Sequence, residues 1–244
     1  MKQEDNEKLR MAFEDAARNG IPLYNTFLRF IEASKSNDDD LYLPVHLDHL
    51  DLRGADFRLP ENSTWSWCNF DFSYCDLREA NLSGALFEYC SFKGANLENA
   101  KITGDGINMD DDSPECINHV LDVIKYPEFS DYCTFEDANM QGVDLSFTVI
   151  TSTNMIGADL RNANLTYTRF NYSELSHANI TGTFESLNKD VRPIFHKTNM
   201  YDCKMTVREK NLARRWRATF RKTPDSDIIR ETVTKQHYGD YSKM

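Results

Sequence analysis

The side chains best able to do chemistry fall into two groups. His46 and His49 flank Asp48, a combination that can hold a metal ion or pass a proton. The second group is the thiols: Cys68, Cys75, Cys90, Cys116, Cys133 and Cys203. Neither group completes a site. No third or fourth ligand follows the histidines at a recognisable spacing, and no CxxC pair or zinc-type alternation with histidine is present. A glycine-rich phosphate loop and a serine–histidine–acid arrangement are also missing. No metal and no cofactor is expected, and the chain reads as a binding protein and not an enzyme.

The elements that must carry these residues show themselves as a repeat of five. From Leu47, steps of five give Leu52, Phe57, Asn62, Trp67, Phe72, Leu77, Leu82, Phe87, Phe92, Leu97, Ile102 and Ile107, all large and apolar except Asn62. Two positions upstream lie small residues such as Ala55, Cys75, Ala80, Ala85, Cys90, Ala95 and Ala100, with Asp or Asn often between, as in Ala80-Asn81-Leu82. A second array in another frame runs through Phe135, Met140, Leu145, Ile150, Met155, Leu160, Leu165, Phe170, Leu175 and Ile180 and returns at Phe195, Met200 and Met205. A period of five matches neither a helix at 3.6 nor a flat strand at 2. In extended chain, residues two apart face one side, so the small and the large position can both point inward while the others turn the chain. By this frame His46 and His49 face outward. Cys75, Cys90, Cys133 and Cys203 take the small inward position, as packing residues.

This A(D/N)Lxx pattern, over about 150 residues, resembles the pentapeptide-repeat family. The resemblance implies an all-β fold, a right-handed quadrilateral β-helix in which four units make one coil. Stacking at 20 residues would then set Phe72 beside Phe92, Leu77 beside Leu97 and Leu160 beside Ile180. Twenty-six frame positions correspond to about 6.5 coils, a rod roughly 31 Å long at an inter-strand spacing of about 4.8 Å. Asn62 marks a bulge or loop.

Five segments follow: 1–40, a helical cap; 45–107, the first array; 108–132, an acidic insertion; 133–205, the second array with an outward loop at 184–192; and 206–244, a basic helix and tail. The first segment carries two helical patterns, Leu9/Phe13/Ala16/Ala17 ending near Gly20 and Leu23/Phe27/Phe30/Ile31 behind Pro22. An open solenoid end exposes unpaired backbone, so a covering hairpin is expected there, with a partner-binding module as the alternative. The insertion should contain a helix opened by Ser113 and Pro114. Leu212, Trp216 and Phe220 recur at helical spacing among basic residues, so Val207–Lys222 reads as a basic amphipathic helix.

Charge selects the candidate surfaces. The net charge is -11, divided between residues 1–203 with 34 acidic and 17 basic side chains and residues 204–244 with 5 and 11. An acidic body argues against direct nucleic-acid binding by the rod and for a basic protein partner. Asp110, Asp111, Asp112, Glu115, Asp122, Glu128 and Asp131 against one Lys125 make the insertion the densest acidic segment and the candidate partner-binding site. Arg214, Arg215, Trp216, Arg217 and Arg221 form a candidate second surface, for capping, self-association as a homodimer, or contact with nucleic acid or a membrane surface. No stretch reaches the roughly 20 apolar residues of a membrane span, and the charged start, Met1 through Arg10, lacks the core of a signal peptide; a cytoplasmic protein is expected.

The resemblance extends to Qnr- and MfpA-like topoisomerase-interacting proteins, which implies an acidic DNA mimic seated in the basic saddle of a type II topoisomerase such as DNA gyrase. Residues 45–203 hold 25 acidic against 11 basic side chains, of the same order as the roughly 18 phosphate charges on 31 Å of duplex. The chain departs from that group in its frequent Asn before the large residue (Asn81, Asn96, Asn139, Asn154, Asn164, Asn179) and in its helical additions. A second class therefore stands beside the first: a phage- or pathogen-encoded adaptor or inhibitor that holds a host protein through loops and termini without mimicry.

Overall fold

The computed structural model describes residues 3–34, 44–60, 63, 65–103, 128–131, 133–184 and 192–222. Two helices, α1 (Gln3–Arg18) and α2 (Leu23–Ser34), precede short strands: β1 (Val45–His46), β2 (Trp67–Cys68), β3 (Phe70–Asp71), β4 (Phe87–Glu88), β5 (Glu128–Asp131), β6 (Val149–Thr151), β7 (Arg169–Asn171) and β8 (Ile194–His196). A third helix, α3 (Val207–Arg215), follows.

Every pairing among the described residues is parallel, and these pairings fall into four columns, a β-helix of stacked coils. One column runs β2-β4-β5-β6-β7-β8. Another begins where β1 pairs with β3 and continues through Asp71, Ser91, Thr134, Asn154, Glu174, Asn199 and Thr219. Those eight rungs, counting His46, span seven steps of about 4.8 Å, or about 34 Å, slightly more than the periodicity alone gives. The step is 20 residues within the repeats, as for Asp76 and Asn96, but 25 from Asp51 to Asp76 and 43 from Ser91 to Thr134. The parallel columns continue across these longer steps.

The frame positions make the core. Leu47 through Ile102 and Phe135 through Ile180 are at most 1% exposed wherever they are described. Phe72, Phe92 and Phe135 stack face to face at 5.2 Å and 4.7 Å. Burial of such ladders supplies the driving force that each coil, with only two to four residues per strand, lacks by itself. The small inward position does more than save space. Its Thr, Ser and Cys side chains donate to carbonyls of the preceding coil, as Thr183 to Leu160 (3.0 Å), Thr198 to Phe170 (3.0 Å) and Cys75 to Leu47 (2.9 Å).

Both ends are covered. Residues of α1 and α2 pack Phe13 and Phe27 on Trp67 and also satisfy the free edge of the first coil. The Asn6 amide donates to the His46 carbonyl and accepts from its N–H, Glu14 accepts from the Asp51 N–H, and the Leu23 N–H donates to the Asp56 carbonyl. These bonds occupy groups that would otherwise template another strand.

Two sequence expectations need correction. The helix over Val207–Lys222 ends at Arg215, because Trp216 turns in to meet Phe184 and Thr219 adds a further rung on Asn199. The insertion also ends earlier than Tyr132: residues 128–131 are already strand β5, between β4 and β6. Ser130 occupies the register position filled by Phe87 and Ile150 in the neighbouring strands, next to a bulge. A small polar residue at a frame position hid that rung from the hydrophobic period.

Candidate interaction surfaces

With the interior filled, any function must lie on what the repeat turns outward. At many corners the N–H of the small inward residue returns to the carbonyl of the preceding large one, as Ala80 to Leu77 (3.1 Å) and Ala158 to Met155 (3.2 Å). The residue just before it lies in the left-handed region, the requirement of a type II turn. Glycine meets this without strain at Gly54, Gly94, Gly142, Gly157 and Gly182, but Tyr74 (φ +60°), Glu79 (+61°), Phe147 (+59°) and Tyr172 (+54°) take the same position. Each such L-residue costs roughly 1–2 kcal/mol, which the ladders outweigh. Several corner glycines sit beneath a corner side chain of the adjacent coil: a Cβ on Gly157 would lie 2.3 Å from Asp137 Oδ1.

The Asp or Asn preceding each large residue has a structural task. Its Oδ1 accepts the backbone N–H two residues on, for example Asp71 from Ser73 (3.0 Å), Asn81 from Ser83 (3.1 Å) and Asn154 from Ile156 (3.0 Å). Asp and Asn serve this turn equally well, so the repeat leaves their charge free to vary. At four positions the Asp is also gripped by the Arg two residues on: Asp51–Arg53, Asp56–Arg58, Asp76–Arg78 and Asp159–Arg161, at 2.6–2.8 Å. The guanidinium hydrogen bond holds Asp51 and Asp76 below the usual carboxylate range. For Asp56 and Asp159 partial burial pulls the other way and is outweighed by the bonds from Arg58 and Arg161.

A family model for pentapeptide repeats matches eight copies in this chain, over residues 71–104, 131–166 and 144–182. These residues are pentapeptide repeats. Among solved structures, the chain is similar to a trypsin-treated form of QnrB1, a plasmid-mediated fluoroquinolone resistance protein, at 15% identity over 72% of this chain and 87% of that one, TM-score 0.31. It is also similar to a pentapeptide repeat protein from the Arabidopsis thaliana thylakoid lumen (23% identity, 57% and 70% covered, TM-score 0.23). A third is HetL, a pentapeptide repeat protein involved in heterocyst differentiation regulation in the cyanobacterium Nostoc (18% identity, 75% and 90% covered, TM-score 0.18). No curated protein matches the sequence.

The residues with chemical potential are placed as the repeat dictates. His46 and His49 are exposed; His49 stacks on Tyr74 at 5.0 Å, and no cluster of three metal-ligating side chains occurs among the described residues. Burial pushes the Cys75 and Cys203 thiols up to about 12 and Cys68 up to about 11; burial raises Cys90 as well. Protonated thiols of this kind are poor nucleophiles.

Of the acidic candidates, Asp110, Asp111, Asp112, Glu115 and Asp122 lie outside the described residues. Glu128 and Asp131 belong to β5, so they are separated from the insertion and built into the coil. The described residues of 45–203 hold 16 acidic and 9 basic side chains, a net charge of -7 where a duplex of about 34 Å carries roughly 20 phosphate charges. No helix of the described residues is long and apolar enough to cross a membrane.

The basic candidates separate as well. Arg214, Arg215, Arg217 and Arg221 are exposed, but Trp216 is only 6% exposed and packs on Phe184 at 5.1 Å, so it anchors the cap and offers no binding surface. The cap is fixed further by Glu209. Its carboxylate accepts the Gly182 N–H (2.7 Å) and closes a capping box with Thr206. The Trp216 and Thr219 carbonyls accept the Phe195 and Met200 N–H groups.

Proposed function

We propose that this pentapeptide-repeat protein is a non-enzymatic, protein-binding rod whose acidic surface docks on a basic groove of a DNA-handling protein, with a type II topoisomerase such as gyrase as the leading candidate. Parallel crossovers of this kind are right-handed in nearly all folds, and we read the coil as a right-handed quadrilateral in a cytoplasmic protein. The observation that carries the reading is the excess of acidic over basic side chains, 25 against 11 over residues 45–203 and 16 against 9 on the described coil. Such an excess raises the association rate with a basic surface and falls in effect with salt.

Half of that excess lies beyond the described rod, so the insertion carboxylates are the residues to test. Converting Asp110, Asp111, Asp112, Glu115 and Asp122 to Asn or Gln should leave folding intact and weaken both partner binding and inhibition of gyrase supercoiling. A wild-type protein that leaves gyrase and topoisomerase IV unaffected at micromolar concentration would remove the topoisomerase assignment. The arginine clamps on Asp51, Asp56, Asp76 and Asp159 favour a second reading. They neutralise carboxylates that a phosphate mimic would leave bare, as expected of an adaptor that binds through loops. Partner binding that survives the five substitutions with the same affinity and salt slope would select it.

A further inference from the structure

The rod ends in a concentration of unpaired positive charge. Lys204, Arg208, Lys210, Arg214, Arg215, Arg217, Arg221 and Lys222 are all exposed. None of the eight is in an ion pair among the described residues, although acidic side chains outnumber basic ones in the rest of the chain. The nearby carboxylates do not answer them. Glu209 is 2% exposed and committed to Gly182 and Thr206, and Asp159 is held by Arg161. Among the described residues Asp202 is the exposed acid at this end, with His177 beside it at 3.2 Å.

A cap by itself does not need this arrangement. The dipole of α3 favours cations in its last turn and so accounts for Arg214, Arg215 and, just beyond, Arg217. Arg208 and Lys210 lie in the first half of the helix, where the dipole opposes them, and Arg221 and Lys222 lie past its end. Lys210 and Arg214 are a like-charge pair four residues apart, each 5.4 Å from the centre of the Phe220 ring. Such a pair is unfavourable on a helix unless an anion or a ring face compensates it.

We propose that this cationic end binds the phosphodiester backbone of nucleic acid, by charge and without reading sequence. Five of the eight side chains are arginines, whose planar guanidinium forks pair bidentately with phosphate. A membrane surface fits less well. The apolar side of α3 is already used: Ala213 and Trp216 are buried, and Leu212 packs against the core, leaving Val207 as the one exposed large apolar residue of the helix. Interfacial helices need a free apolar face. Repulsion from the acidic body is weak at this distance: carboxylates two or more rungs away are about 10 Å off, beyond a Debye length of about 8 Å at physiological ionic strength. The site is independent of the proposed protein-binding role; if both hold, the body grips a DNA-handling protein while this end touches nucleic acid.

Titrating the full chain against a fluorescent 20-base-pair DNA, read by anisotropy between 50 and 200 mM salt, tests the proposal. A nine-residue helix is about 13.5 Å long and faces about four phosphates of one strand, so log K should fall with log salt at a slope of about -3.6, roughly a 150-fold loss over that range. The quadruple variant Arg214→Gln, Arg215→Gln, Arg217→Gln and Arg221→Gln should lose most of the affinity and flatten the slope. The same four changed to Lys should keep most of the slope, which separates charge from any effect on folding. A slope shallower than -1, unchanged binding by the Gln variant, or tighter binding to poly-glutamate or to vesicles of anionic lipid than to the duplex would each overturn the assignment.

Discussion

Replacing Phe92 with Ala probes whether the interior behaves as one continuous ladder. Phe92 has no exposed surface. Its ring lies 4.7 Å from Phe135 at an interplanar angle of 3°, 5.2 Å from Phe72 at 19°, and 5.2 Å from Phe87 at 75°. A buried Phe→Ala change costs about 3–5 kcal/mol, depending on how far the site can collapse. Here collapse is resisted, because the backbone on both sides is tied by bonds such as Phe92 N–H to Thr134 O (2.7 Å) and Ser91 N–H to Phe70 O (2.9 Å). The cost should therefore sit in the upper half of that range, about 4–5 kcal/mol. Since about 1 kcal/mol shifts Tm by roughly 2–4 °C in a chain of this size, the expected fall is about 8–20 °C by circular dichroism. The effect should also be cooperative, because in a solenoid a cavity at one rung weakens its interfaces with both neighbours. Phe92→Leu, which keeps most of the volume, should lose far less. A Phe92→Ala protein that melts within about 3 °C of wild type would mean that this ring does not sit between its neighbours in a packed column, and the β-helix packing described above would fail.

Two further outcomes follow from the turns and their charges. Gly157→Ala should destabilise by about 1–2 kcal/mol, the cost of a left-handed L-residue, plus the displacement of Asp137, whose Oδ1 lies 2.3 Å from the new Cβ position; adding Asp137→Ala should recover only the second part in thermal melts. In the Asp–Arg pairs the hydrogen bond from arginine lowers the folded pKa of Asp51 and Asp76, so their contribution is present above the unfolded value of about 3.9 and is lost as pH falls through the lowered folded value. The double variant Arg53→Gln, Arg78→Gln should therefore melt slightly lower than wild type at pH 7, a small difference because the pairs face solvent, with the gap closing as the pH falls into the acid range; a gap unchanged by acid would mean that the arginines act by packing alone.

Much of this protein could be read from its residues because a solenoid repeats one local solution. The inward pair recurs at a fixed spacing, so Leu77, Phe92 and Leu160 could be assigned to the core, and Cys75 and Cys90 to packing, without coordinates. The period fails where a rung lacks its large residue: Ser130 broke it and carried the apparent insertion through Tyr132, although the strand begins at Glu128. Periodicity also failed at Trp216, whose helical spacing from Leu212 and Phe220 matched an amphipathic stripe, although a tertiary contact with Phe184 ends the helix first. The role of the Asp and Asn positions could not be read at all, because the turn hydrogen bond they accept is a property of backbone geometry, and that geometry also brings Arg53 onto Asp51.

By itself the sequence determined the repeat, its inward positions and the opposite charges of body and tail, since period and composition are properties of the chain. Tertiary structure decided which charges remain available. The turns folded four aspartates onto arginines, Glu209 was buried within the C-terminal cap, and eight cations on that end were left in no ion pair among the described residues. The physical reason is range. A period is set by neighbours within five residues, whereas the pairing of a surface charge is set by turn geometry, as for Asp51 and Arg53, or by groups that the coil brings from far along the chain, as for Glu209 and Gly182.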